Sequence, residues 1–239
     1  MKRKVLLLLL TAVFALAVPA YAQQYELLFA FTGFDYQDPN SVPGPLADHA
    51  DYLAVGEGYK VVGFVTQFGP LLTPWVDPDT YEYTNHIFNL TVTGHFFFGG
   101  FLEADFADGG RARYYRDKLT TGTPGTYGTF PPNLTSPSTF IDGGPIDGMR
   151  LGGGLKNATL TYDFGLNQGN FNSEMTVDEG PDLIYIPASQ RPGWTLAGLA
   201  GRPNATVPAG YDNQITGDCK ILATPAAHKT WGAVKALYR

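Results

Sequence analysis

Glu103 and Asp105 stand one residue apart in the stretch FLEADFADGGRARYYRD, residues 101–117, with Arg111, Arg113, Tyr114 and Tyr115 close behind. Carboxylates two positions apart on a strand project from one face, their backbones about 6.7 Å apart. That spacing falls within the range of paired glycosidase carboxylates. With Glu174 they are the candidate catalytic acids of a secreted polysaccharide hydrolase. Glycosidase carboxylates flank the scissile bond, however, and neighbours on one strand approach it from one side. The preferred reading is a structural hairpin. A three-residue turn at Asp108-Gly109-Gly110 sets Asp105 opposite Arg113 and keeps Ala104, Phe106, Ala112 and Tyr114 on one apolar face. Asp105 and Arg113 then form a cross-strand ion pair on a solvated face.

Aromatic rings on a solvated strand face can stack on sugars, and Tyr81, Tyr83 and Tyr115 are the candidate glycan contacts. Two Gly-rich acidic stretches, IDGGPIDG with Asp142 and Asp147 and DEGPD with Asp178 and Asp182, carry carboxylates suited to Ca²⁺. Ordinary turn chemistry accounts for the same residues without an ion, so no cofactor is expected. None of the serines, at 41, 136, 138, 173 and 189, lies in a G-x-S-x-G elbow. His49, His95 and His228 lack metal-ligand spacing. His86 shares its strand face with Phe88 and Leu90 and reads as a partly buried strand residue. Cys219 is the only cysteine, which excludes an internal disulfide and a cysteine metal site, and it reads as a small buried apolar residue.

The elements that must position these groups are strands. The chain is rich in Gly, Pro, Thr, Tyr and Phe and poor in Lys, Glu and Met. Strands are expected over residues 25–31, 59–68, 81–93, 95–106, 111–117, 158–166, 182–186 and 194–197, and more weakly over 205–207 and 220–222. Turn signals such as DPNSVPG and IDGGPIDG separate them. Residues 122–154 lack periodicity and read as a long irregular loop, a candidate rim for a site. In the tail, Thr224 as a cap, Pro225 in the first turn and Trp231, Val234 and Tyr238 at helical spacing predict a short C-terminal helix.

The whole chain opens with Lys2, Arg3 and Lys4, an apolar run from residue 5 to 18, and Ala20-Tyr21-Ala22, the pattern of a secretory signal peptide cleaved after Ala22. The expected organisation is a signal peptide over 1–22, one all-β domain over 23–222 and a helical tail over 223–239. The predicted fold is an antiparallel β-sandwich or jelly roll. Removing the three basic residues takes the net charge from −6 to −9, which disfavours nucleic acid and anionic membrane as partners. No later stretch is long and apolar enough for a transmembrane helix. The expected protein is a non-catalytic module, secreted, periplasmic or at the cell surface, structural or binding a surface glycan. A polysaccharide hydrolase and an outer-membrane β-barrel are the alternatives.

Overall fold

The computed structural model describes residues 25–38, 52–122, 124–127, 148–201, 207–208 and 211–222. The chain divides into two compact units: Glu26–Ile221, and the terminal segments Met1–Tyr25 and Leu222–Arg239. The expected signal peptide and C-terminal helix, with Trp231, lie outside the described residues.

The described residues form nine strands: β1 (Tyr25–Asp38), β2 (Gly58–Phe68), β3 (Tyr81–Phe98), β4 (Phe101–Phe106), β5 (Arg111–Lys118), β6 (Gly148–Asp163), β7 (Gln168–Glu179), β8 (Trp194–Gly201) and β9 (Gln214–Leu222). β1 pairs with β2, β2 with β3, β6 with β7, β7 with β8 and β8 with β9, and β9 returns to β1. β4 and β5 both lie between β3 and β6, end to end, and fill a single place. The result is a closed, eight-place antiparallel barrel rather than the expected sandwich or jelly roll. A sandwich needs strands that leave one sheet for another, whereas every connection here joins neighbours. The strands are also long, 14 residues in β1, 18 in β3 and 16 in β6, and long twisted strands coil far enough to close.

Strands of this length need relief. Asn89 (φ 58°) and Asn157 (φ 50°) sit in the left-handed region, beside register slips in β3 and β6. Between them, residues 107–110 step out of line. Ala107 N–H donates to Thr91 O (2.8 Å), Leu155 N–H to Gly110 O (2.8 Å), and Asn157 N–H to Asp108 Oδ1 (3.0 Å). These irregularities bend the wall as β-bulges do.

Residues 108–110 are therefore not a hairpin turn, and Asp105 does not face Arg113. The hairpin lies at Gly99-Gly100, both at positive φ (62° and 83°), as a two-residue type I′ turn requires. It splits the expected strand 95–106 in two. The interruption at 107–110 has an even length, so Phe106 and Ala112 keep the same face, and the parity that favours a hairpin fits a straight run equally. Arg113 instead reaches Glu179 (Nε–Oε1 2.6 Å) and Arg111 reaches Asp178 (2.7 Å). Each pair meets across β6 above a glycine, Gly152 or Gly154, whose missing side chain leaves the passage open.

Residues 148–154 of the expected long loop belong to β6, and residues 128–147 lie outside the described residues. The expected strand 182–186 falls mostly on a 3₁₀ turn, Pro181–Tyr185. β7, absent from the predicted strands, alternates cleanly: Gly169, Phe171, Ser173, Met175 and Val177 are buried, and Asn170, Asn172, Glu174, Thr176 and Asp178 are exposed. The barrel interior is mainly apolar, with the rings of Tyr59, Phe106 and Phe171 in mutual contact (centroids 5.5, 6.0 and 6.4 Å). A second apolar layer, Phe34, Tyr36, Val62 and Phe64 with Tyr127, Val207 and Tyr211, covers the outside of β1 and β2.

Candidate functional site at one end of the barrel

Antiparallel order brings the ends of β1, β3, β6 and β8 and the starts of β2, β4, β7 and β9 to one end of the barrel. Three features meet there: a plug, a buried acid and an outer cleft.

The plug is Tyr52 and Leu53, both buried, followed by Ala54. Leu53 holds φ 57°, a costly conformation for a branched side chain. Its neighbours fix it: Leu53 N–H donates to Gln37 Oε1 (2.9 Å), and Leu53 O lies 3.0 Å from His95 Nδ1. The second contact places the imidazole proton on Nδ1.

Beneath the plug sits Asp35, fully buried on β1. Its Oδ2 accepts from Tyr52 Oη (3.2 Å), Tyr59 Oη (3.1 Å) and Asn213 Nδ2 (3.3 Å), and its Oδ1 from Asn213 N–H (2.5 Å). Burial pushes its carboxyl up to about 6, and the four donors hold it from rising further. Burial likewise drives the Tyr52 and Tyr59 hydroxyls well above their ordinary value, with the Asp35 charge adding to it. Asp212 is also buried and accepts from Gln37 Nε2 (3.2 Å). This network knits β1, the plug, β2 and the entry to β9 into one polar knot.

The outer cleft, about 780 Å³, lies against the ends of β6 to β9. Register lays its polar groups out in two rows. One runs Asp163, Gln168, Gly201, Gln214, and the other Thr161, Asn170, Leu199, Thr216. Adjacent strands set neighbours in a row about 4.8 Å apart, and the rows lie about 6.7 Å apart. Phe101, opposite Asp163, closes one edge. Leu166 and Asn167 of the β6–β7 turn form a wall, and that turn is tied by Asp163 Oδ1, which accepts from Gly165 N–H (2.8 Å) and Leu166 N–H (3.0 Å). The lining combines amides, hydroxyls and apolar faces, and among the described residues it holds one carboxylate and no Lys, Arg or His. Tyr162 joins cleft to interior: it lines the cleft, is itself buried, and its ring meets that of Tyr52 (6.1 Å).

The residues singled out from the sequence fall elsewhere. Tyr83 and Tyr115 are buried and Tyr81 is half-buried beneath Arg116 (4.2 Å), so they form no solvent-facing strip. Glu103, Asp105 and Glu174 point outward from the barrel wall. Glu103 extends the second row beside Thr161, whereas Asp105 lies opposite Thr159 and Glu174 opposite Lys156. Glu174 stands two strands and several residues from Glu103, on the order of 15 Å, and the three do not converge. Asp178 is paired with Arg111, and Asp182 is buried against Arg150 and Tyr114 Oη, which donates to it at 2.5 Å. Asp142 and Asp147 lie outside the described residues. Among the described residues no group of three or more His, Cys, Asp or Glu is placed to hold a metal ion. His86 is buried and stacked on Phe88 (4.6 Å), and burial, with Lys60 and Arg113 adding to it, depresses it to about 3. Cys219 is buried beside Met175.

The cleft residues lacked a sequence signal. Gln168, Asn170, Leu199, Gln214 and Thr216 come from three strands and become neighbours only through register.

Comparison with family models, with curated proteins and with solved structures gives no match.

Proposed function

We propose that this protein is an exported β-barrel that binds an uncharged glycan in the cleft at the ends of β6–β9, without cleaving it. The observation that carries this reading is the two-row grid of Asp163, Gln168, Gln214, Thr161, Asn170 and Thr216, with Leu199 in the second row and Phe101 at one edge. Amide and hydroxyl groups match the alternating donors and acceptors of sugar hydroxyls. An aromatic edge offers a stacking face, and the volume lies in the range of small-ligand sites. The Asp163 carboxylate in the lining disfavours uronic acids and sulfated sugars. The sequence suggests a module that is structural or binds a surface glycan, with Tyr81, Tyr83 and Tyr115 as contacts; the present reading keeps the glycan and proposes the cleft in their stead.

The test is titration calorimetry of the mature chain with soluble, uncharged gluco- and galacto-configured oligosaccharides. Binding is expected, weakened at least about tenfold by Asn170→Ala, the loss of hydrogen bonds costing about 1.4 kcal/mol or more. Reducing ends appearing during incubation would favour the hydrolase instead, and absence of binding to every sugar would remove the reading.

A further inference from the structure

We propose that the glycan is the headgroup of a lipid, and that the β3–β4 hairpin seats the barrel in the interfacial layer of an uncharged bilayer. This rests on the glycan reading of the cleft. The hairpin reads HFFFGGF, residues 95–101, and leaves Phe96, Phe98 and Phe101 59%, 76% and 41% exposed. Leu166, on the adjacent β6–β7 turn, is 69% exposed. Phe164 N–H donates to Gly100 O (2.9 Å), which ties the two turns into one projecting edge. A side chain added at Gly99 or Gly100 would meet nothing within 4 Å, so the tip stands clear of the described chain.

Two narrow apolar tips at one end suit a soft surface better than a complementary protein face. Phenylalanine gains from burial in the acyl boundary, and the polar groups behind it mark how deep the edge can go. The charges select the lipid. No Lys or Arg lies in residues 94–102 or 164–167, and the nearest carboxylates are Glu103 and Asp163. An anionic surface is repelled and a neutral or zwitterionic one is not. Phe101 and Leu166 belong to both the edge and the cleft, so a headgroup in the cleft has its acyl anchor in the layer the tips enter.

Co-sedimentation of the mature chain with three vesicle types tests this: phosphatidylcholine alone, phosphatidylcholine with digalactosyl-diacylglycerol, and phosphatidylcholine with phosphatidylglycerol. The galactolipid vesicles are expected to retain the protein at least about tenfold better than either of the others. The double variant Phe96→Ser/Phe98→Ser changes exposed residues outside the cleft. It is expected to lose vesicle binding while keeping soluble-glycan binding, and Asn170→Ala to lose both. Wild type that binds soluble glycan but ignores galactolipid vesicles, or a double variant that sediments as wild type does, overturns the lipid proposal alone. Failure with both soluble glycan and vesicles overturns the cleft reading with it.

Discussion

Asp35 carries a free-energy signature that reports on the buried knot. Its carboxyl is raised to about 6 from an ordinary 3.8, chiefly by burial, so the folded state holds a proton that the unfolded state has released. Its contribution is full below the unfolded value and is lost as pH rises through about 6. His86 has the opposite sense. It is depressed to about 3, so its contribution is present above about 6.5 and falls away as pH drops below that. The two overlap, and the readout is therefore a difference. Urea midpoints of wild type and Asp35→Asn, compared from pH 4.5 to 7, are expected to diverge by on the order of 1 kcal/mol per pH unit through the Asp35 window. Parallel curves would mean that Asp35 does not titrate as its burial implies.

At the scale of elements, a tight constraint lies where β1 crosses β2. Gly33 and Gly63 are cross-strand partners, and a Cβ on Gly33 would lie 2.1 Å from Val62 O and 2.6 Å from Gly63 Cα. Those are backbone atoms that cannot swing aside. Gly33→Ala is expected to cost roughly 2–4 kcal/mol, measured by chemical denaturation. Gly99→Ala meets no neighbour and pays only its backbone conformation, about 1 kcal/mol. Equal losses at the two sites would count against this packing. Strand alternation was legible for β4 and β5 because their faces differ sharply in polarity. The hairpin between them was misplaced because parity survives an even interruption, and because Gly99-Gly100 lies inside a run of phenylalanines that reads as one strand. Past Thr93 a register slip turns Phe96 and Phe98 outward, and no single-strand pattern announces it. β7 escaped notice because Asn, Ser, Gly and Glu hold a strand only when neighbours on both sides pair with it.

The whole molecule presents its polarity in a definite sense, and that sense bears on how it meets a membrane. A lipid-embedded barrel shows an apolar band about 25 Å tall on its outside and keeps polar groups within. Here the outside carries Glu103 and Asp105 on β4, Arg111 and Arg113 on β5, Lys156 on β6 and Asn170, Asn172, Glu174, Thr176 and Asp178 on β7, while Phe106, Phe171, Leu160 and Val177 fill the inside. An Arg or Lys facing lipid at mid-depth costs about 2–4 kcal/mol, and several would add. Phe96, Phe98, Phe101 and Leu166 lie together at one end and offer an apolar surface of the kind that enters an interface. The protein is therefore expected to attach to membranes peripherally rather than to span them. Expressed with residues 1–22 in a host with an outer membrane, the exported chain should leave the membrane fraction under alkaline carbonate without detergent. It should also migrate alike on denaturing gels with and without prior heating, whereas closed membrane barrels run faster unheated. Protein that stays in the pellet until detergent is added, and that shifts on heating, would establish a spanning barrel and overturn the assignment of inside and outside on which the cleft, the knot and the tips all depend.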